Sequence, residues 1–238
     1  MPIPTRNAKM FTPDLTRSEA IVGWVYLPIH VLILPILLGL LVLLYPSGDL
    51  SETSLQLVYY LIGLMVVIIF YRKLLRREFD HLCDSPLSFF YGFAAGYLLW
   101  YALSCLATAI ILLLGIEESN PNNDFIAALS QQDYRLMMTL GVFLAPILEE
   151  VLFRAVVFQS IRKKHRLLAY LVSIALFSVY HVWQYALWDP FQLLYALQYI
   201  PITLALTWSY ERSGTLWAPI ALHMFNNYTA FALLQISG

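Results

Sequence analysis

The sequence predicts an all-α fold, a polytopic membrane bundle of about seven transmembrane helices, from its composition and the arrangement of its apolar residues. Hydrophobic residues make up 60% of the 238 positions and charged residues only 12%, and a soluble domain carries about twice that share of charge. The apolar residues lie in blocks long enough to span a bilayer, and a helix satisfies its own backbone hydrogen bonds in lipid. These observations exclude a disordered chain, a soluble enzyme and a disulfide scaffold.

Seven apolar blocks mark the predicted helices. They cover residues 21–45, 55–71, 87–114, 136–161, 167–187, 191–208 and 215–236. A polar segment without a signal-peptide pattern precedes the first block, so we expect a retained first helix. Pro28 and Pro35 predict bends in that helix, and we interpret His30 between them as a packed, hydrogen-bonded residue.

The chain is expected to divide into three parts. Residues 1–20 form a cytoplasmic N-terminal segment, residues 21–134 hold three accessory helices and an extracytoplasmic loop, and residues 135–238 form a core with unusual polar groups. The longest loop is predicted between Gly115 and Arg135, and its polar residues include Glu117 and Glu118.

The basic residues predict the orientation of the bundle. With the N-terminus in the cytoplasm, 12 of the 14 Lys and Arg fall on the cytoplasmic side, as the positive-inside rule requires. They are Arg6, Lys9, Arg17, Arg72, Lys73, Arg76, Arg77, Arg162, Lys163, Lys164, Arg166 and Arg212. Arg135 falls outside, and Arg154 lies within a predicted span. Seven spans then place the C-terminus outside.

Three charged residues lie inside the fourth predicted span. Charges in a membrane interior cost about 2.5–3.5 kcal/mol each on insertion scales and are usually functional. Glu150 and Arg154 are four residues apart, so they share a helix face and can pair, whereas Glu149 is turned about 100° away from Glu150. We therefore predict that Glu150 and Arg154 form a fixed ion pair and that Glu149 is free for proton transfer. A charge cluster that only holds helices together is the structural alternative.

Two later spans carry polar side chains at helical spacing. His181 follows Phe177 by four residues in the fifth block, and Asn227 follows His223 by four in the seventh. Counted from the predicted cytoplasmic helix ends at about 1.5 Å per residue, Glu150 lies about 18 Å deep and His181 about 21 Å deep. His223 and Asn227 lie about 14 and 20 Å deep by the same count. These groups fall in one layer near the bilayer centre, which suits hydrolysis by an activated water.

These three motifs resemble those of the CPBP family, the CAAX-processing and bacteriocin-processing (Abi) intramembrane proteases. The motifs are Glu149-Glu150-x-x-x-Arg154, Phe177-x-x-x-His181 and His223-x-x-x-Asn227, and the resemblance covers residues 135–238. It implies an intramembrane endopeptidase in which Glu149 and His181 activate the attacking water. By the same analogy, His223 and Asn227 face the oxyanion, while Glu150 and Arg154 brace the helix.

The resemblance leaves metal dependence open, because the family is described both as metalloproteases and as metal-independent glutamate proteases. Glu149, His181 and His223 could hold zinc with an open coordination position. We nevertheless expect no cofactor, because Asn227 suits an oxyanion hole better than a zinc site.

The expected partners are a membrane-associated protein or peptide precursor as substrate, and membrane lipid. Nucleic acid is not expected, because no solvated basic cluster is interleaved with aromatic residues. The expected location is the plasma membrane of a bacterium. By the family analogy, we expect the cavity to open to the cytoplasm, with Phe158 and Val172 near its entrance.

Two other functions remain open at this point. One is a non-catalytic bacteriocin-immunity or scaffold protein that binds a partner with the same bundle. The other is a proton-coupled transporter in which buried Glu and His form a relay, although the sequence shows no repeated halves.

Overall fold

The computed structural model of the chain is 90% helical, and the predicted all-α class is confirmed. The structure describes residues 11, 14–44, 51–115 and 120–237, and these contain no strand. Arg6, Lys9, Tyr45, Glu117 and Glu118 lie outside the described residues. The helices are α1 Arg17–Leu44, α2 Glu52–Asp84, α3 Pro86–Leu113, α4 Pro121–Gln132, α5 Tyr134–Arg162, α6 Arg166–Tyr180, α7 Trp183–Ala186, a 3-10 segment Pro190–Tyr199, α8 Ile200–Ser213 and α9 Trp217–Ser237.

Several of these helices are suited to a membrane. By length and composition, α1, α2, α3 and α5 could each cross a bilayer, and α6 is apolar but shorter. The outer surface of the bundle carries large apolar side chains, among them Leu87 (84% exposed) and Leu113 (87% exposed). Such a surface is stable against lipid and not against water. The protein is therefore a membrane protein, while the count of seven spans and the orientation stay predictions.

The ends of the long helices lie at two opposite ends of the bundle. At one of them, Arg162 and Arg166 bind Glu211 at 2.6 and 2.7 Å, and Arg77 binds Glu19 at 2.8 Å. We call this the basic end, because it carries the clustered Lys and Arg. The opposite end, which we call the distal end, carries the start of α2, the whole of α4 and the start of α5.

The predicted loop between Gly115 and Arg135 contains a helix, α4, so this part of the prediction was wrong. The Asn120 side chain accepts a hydrogen bond from the Asn122 amide at 3.0 Å, and Pro121 occupies the first turn. An Asn cap followed by proline is a common helix start, because the cap satisfies a free amide and proline lacks one. The high polarity of the segment hid this signal.

The predictions for two further apolar blocks were also wrong. Block 167–187 was predicted to be longer than the helix it contains, and block 191–208 was predicted to begin too early. Helix α6 ends at Tyr180, and α8 begins only at Ile200. The Phe177 carbonyl accepts from the His181 side chain at 2.9 Å, a typical way to satisfy a last-turn carbonyl. His181 therefore lies at a helix end and not in the middle of a helix.

Helix α2 continues past its apolar block, which was predicted to end at residue 71. It runs to Asp84, and the extension is strongly amphipathic and carries the basic cluster that begins at Arg72. Charged side chains are compatible with a helix once it has left the hydrocarbon, so the block marked the apolar stretch and not the helix end.

Helix α5 lies at the centre of the fold. Every residue from 151 to 159 is buried, with at most 1% exposed. The helix is interrupted by π-helical turns at Leu140–Leu144 and Val151–Phe158, on either side of the α-helical segment Ala145–Glu150. π-Helical turns often occur at functional sites, because they rotate side chains out of the regular register.

Helix α3 attaches to the core by close contact between small residues. A Cβ atom on Gly92 would lie 2.7 Å from Ser213 Cβ, and one on Gly96 would lie 2.9 Å from Leu222 Cδ2. Glycines four residues apart let two membrane helices approach each other closely. The accessory helix α3 is therefore packed directly on α8 and α9.

Candidate active site

The two neighbouring glutamates of α5 lie in the segment between its π-helical turns. Glu149 is 3% exposed, and Glu150 and Arg154 are completely buried. Arg154 donates from Nη1 to Glu150 Oε1 at 2.8 Å, so the ion pair expected from their spacing is present. Buried ions need such partners, because each loses its hydration.

Arg154 is held from two further directions. Its Cζ atom lies 4.4 Å from the centre of the Phe177 ring, which is a cation–π contact. Its Nη2 lies 3.4 Å from the Thr203 carbonyl oxygen on α8. Phe177, which the sequence motif pairs with His181, therefore also supports the arginine.

His223 joins the two glutamates across the bundle. Its Nδ1 lies 2.8 Å from Glu150 Oε1, and its Nε2 lies 3.8 Å from Glu149 Oε2. Because the Glu150 carboxylate is paired with Arg154, it acts as an acceptor, and His223 must donate from Nδ1. The family resemblance had implied that His223 faces the oxyanion, and nothing in the sequence indicated this bond to Glu150.

His181 has a defined tautomer when it is neutral. Its Nδ1 lies 2.9 Å from the Phe177 carbonyl oxygen, and a carbonyl can only accept, so Nδ1 carries the proton. Its Nε2 then carries a free lone pair. The ring stacks on Tyr199 with centroids 4.3 Å apart and planes at 22°, so the imidazole is oriented by two contacts.

Asn227 is oriented by α5 and by its neighbour. It donates from Nδ2 to the Gly141 carbonyl at 2.8 Å, and its Oδ1 accepts from Asn226 Nδ2 at 2.9 Å. Gly141 belongs to the first π-helical turn of α5. An amide group has two N–H donors, so one of them remains after the bond to Gly141.

A cavity of about 740 Å³ brings the proposed catalytic residues together. Glu149, His181, His223 and Asn227 all line it, whereas Glu150 and Arg154 are not among its lining residues. The volume is in the usual range for a ligand pocket. The buried Glu149 Oε2 has no hydrogen-bond partner in the protein, and a buried polar atom of this kind calls for a water or ligand.

Sequence reasoning missed several polar and aromatic residues of the cavity. They are Tyr59, Tyr60, Asn122, Tyr180, Tyr199 and Asn226. Tyrosine is common in this chain, with 16 copies, so its positions alone gave no signal. Asn226 could have been found, because it adjoins the motif residue Asn227 on α9.

The cavity lies on the distal side of the site, and not on the side of the expected cytoplasmic entrance. Its outer lining includes Glu52, Gln56 and Asn123, which belong to α2 and α4 at the distal end. Phe158, expected near the entrance, is completely buried in the core, and Val172 packs against that core. The family analogy had suggested an opening at the basic end, where the side chains are in fact closely packed.

Residues 131–229 match the family described as "Type II CAAX prenyl endopeptidase Rce1-like", a range that contains all three motifs. The match supports the CPBP family. The chain is also 24% identical over 151 residues to the "Putative membrane peptidase YdiL" of Bacillus subtilis (strain 168). That alignment covers 63% of this chain and 57% of the relative, so this chain spans little more than half of the relative's length.

No solved structure matches the chain.

The CPBP resemblance raised zinc as an alternative, with Glu149, His181 and His223 as ligands. In the described part of the chain, no group of three His, Cys, Asp or Glu side chains lies close enough to hold a metal ion. The present arrangement of the described side chains therefore does not form a three-ligand set.

Proposed function

We propose that this protein is an intramembrane endopeptidase that hydrolyses a peptide bond in a membrane-associated protein or peptide precursor. The observation that carries the proposal is Glu149 Oε2, which accepts no hydrogen bond in the protein and is buried in the wall of a cavity that His181 also lines. A carboxylate oxygen without a hydrogen bond is costly to bury. A water bound between Glu149 and His181 would satisfy it and would stand beside two groups able to accept a proton.

In the proposed reaction, the water oxygen attacks the carbonyl carbon of the scissile peptide bond. Glu149 takes one proton from the water, and the free Nε2 of His181 helps to orient it. The carbonyl oxygen becomes an oxyanion in a tetrahedral intermediate. When the C–N bond breaks, the proton held by Glu149 passes to the leaving nitrogen, and the products are one carboxylic acid and one amine.

The oxyanion is proposed to lie against α9. Asn227 offers its remaining Nδ2–H, since the other is bonded to Gly141. His223 donates Nδ1–H to Glu150, so a doubly protonated His223 would also offer Nε2–H. In that form Glu149, Glu150, Arg154 and His223 carry no net charge together. Donors fixed in advance are most effective where water is scarce.

Glu150 and Arg154 are proposed to act as positioning residues. They do not line the cavity, but Glu150 fixes His223 and Arg154 fixes Glu150. The membrane in which this takes place is proposed to be a bacterial plasma membrane.

Cleavage by the purified protein tests this proposal. Wild-type protein in detergent would be incubated with a library of quenched fluorogenic peptides, and products would be identified by mass spectrometry. We expect cleavage by wild type and none above background by Glu149→Gln. The matched control is Asp80→Asn, which changes an exposed carboxylate on α2 and should retain activity. Equal activity of the two variants would contradict the proposal.

The same preparation separates the two alternatives. An immunity or scaffold protein would bind peptides without cleaving them, and Glu149→Gln would not change its binding. A proton-coupled transporter would move protons across liposomes, whereas the proposed protease would not.

A further inference from the structure

Among the residues that the structure describes, the cavity lining extends from the candidate site toward the distal end of the bundle and not toward the basic end. Glu149 is 15 residues from the start of α5 at Tyr134, or about 22 Å at 1.5 Å per residue. The cavity lining continues over that distance to Glu52, Gln56, Asn122 and Asn123, which stand at the start of α2 and on α4. The cavity therefore extends from the candidate site toward the distal end and is wide enough for water.

The other half of the bundle is filled by side chains. Between Glu150 and the basic end, α5 is buried on all sides from residue 151 to residue 159. Densely packed interiors leave few voids larger than a water molecule, so a peptide has no room beside this part of the helix.

The segment before α1 closes the basic end further. The Phe11 ring lies 5.0 Å from Tyr210 and 5.8 Å from Phe158, centre to centre. The Leu15 amide donates to Gln159 Oε1 at 2.9 Å, and Lys163 Nζ donates to the Leu15 carbonyl at 2.8 Å. These contacts hold Phe11 and Leu15 against the end of α5, so access from this side would require both residues to move away.

The charge of the cavity favours one class of peptide. Its lining includes the carboxylates Glu52 and Glu149, the imidazoles of His181 and His223 and, in the described part of the chain, neither Lys nor Arg. In the proposed charge state the cluster around Glu149 has no net charge, so the remaining charge of the described lining is that of Glu52 toward the distal end. This carboxylate repels an acidic side chain of an entering peptide and does not repel a neutral or basic one.

We infer that the cavity admits an extended peptide segment with neutral or basic side chains from the distal end of the bundle. The inference rests on the proposed endopeptidase function and names its substrate class and direction of access. At about 3.3 Å per residue, some six or seven extended residues reach from the distal end to Glu149. Under the predicted orientation, the segment comes from the extracytoplasmic side.

Side-specific thiol labelling tests the direction of access. Both native cysteines, Cys83 and Cys105, are free and exposed, so the background carries serine at both. Gln56→Cys reports on the cavity, Gln132→Cys marks the distal surface and Lys164→Cys marks the basic end. A membrane-impermeant thiosulfonate is added to right-side-out and to inverted vesicles.

We expect Gln56→Cys to react in the vesicle orientation that labels Gln132→Cys. Reaction in the orientation that labels Lys164→Cys, or in neither, would overturn the inference. Asn123→Cys is a second cavity probe in case Gln56→Cys does not fold. The labelling needs no catalysis and is repeated in a Glu149→Gln background, so it can fail or succeed independently of the protease proposal.

Peptide protection tests the substrate class. Ala145 lines the cavity one turn before Glu149, and Ala145→Cys would be labelled in the presence of three peptides. They share one apolar sequence and differ by a single Lys, Gln or Glu. We expect the Lys and Gln peptides to protect Ala145→Cys from labelling. The Glu peptide should need a concentration about tenfold higher for the same protection, because of charge repulsion.

Glu52→Gln should reduce that difference. Equal protection by the Glu and Lys peptides in the parent protein would refute the charge argument, whether or not the peptides are cleaved.

Discussion

His223 donates its Nδ1–H to Glu150 Oε1 at 2.8 Å. The same oxygen accepts from Arg154 at 2.8 Å, while the other ring nitrogen of His223 faces Glu149 at 3.8 Å. Glu150 thus links a fixed cation on its own helix to an imidazole on α9. The two neighbouring glutamates differ in their surroundings, since one is enclosed by partners and the other lines the cavity.

The first prediction concerns the enclosed ion pair. Glu150→Gln and Arg154→Met each leave the other charge buried without its partner, which costs about 3–5 kcal/mol. We expect both variants to lose thermal stability and cellular abundance as well as activity, measured by thermal unfolding in detergent. If Glu150→Gln were inactive but as stable as wild type, Glu150 would be the catalytic carboxylate and the roles would be reversed.

The second prediction concerns Asn227. Asn227→Ala removes the proposed oxyanion donor, and loss of one such donor lowers kcat by about 100- to 1,000-fold. The KM should change little, because the donor acts on charge that develops in the transition state. Steady-state kinetics measure both. A variant that raises KM and keeps kcat would show that Asn227 binds substrate in its ground state instead.

The third prediction concerns a buried network between accessory and core helices. Tyr59 Oη lies 2.8 Å from His30 Nε2 and 3.1 Å from Tyr180 Oη, and His30 is fully buried. Tyr59→Phe leaves these polar atoms short of a partner and should destabilise the protein by about 1–3 kcal/mol.

Tyr60→Phe is the matched control, because it removes a neighbouring hydroxyl outside this network. Thermal unfolding of the two variants is compared. Equal stability would show that the His30 network does not hold α1 and α2 to the core.

The fourth prediction concerns metal dependence. Prolonged treatment with a strong zinc chelator, followed by dialysis, should leave the cleavage rate unchanged if Glu149 and His181 activate water by themselves. Loss of activity that added zinc restores would instead support the three-ligand alternative of Glu149, His181 and His223.

Contacts within one helix could be predicted from the sequence, whereas contacts between helices could not. The pairing of Glu150 with Arg154 was predictable, because the helical period fixes which side chains share a face. The bond from His223 to Glu150 was not, because it depends on how α9 is rotated against α5. The same limit applies to Asn227, whose partner is the Gly141 carbonyl in a π-helical turn.

Helix ends and the position of the cavity were the weaker predictions. Hydropathy placed the apolar stretches but not the end of α6 at Tyr180, because a side-chain hydrogen bond of His181 accompanies that end. The side of the cavity could not be derived from depth along the helices. The side of the cavity follows from the complete burial of α5 between Glu150 and the basic end. This burial is a property of packing among several helices.

The central claim is that Glu149 and His181 act together on one water. The most direct test is the single-turnover cleavage rate of wild type, Glu149→Gln, His181→Gln and the double variant, all purified and shown to be folded. We expect each single variant to be slower by about 100- to 10,000-fold and the double variant to be no slower than the worse single variant, because residues that act as a unit are not additive. A folded Glu149→Gln protein that cleaves at nearly the wild-type rate, or a double variant whose losses simply multiply, would contradict the claim.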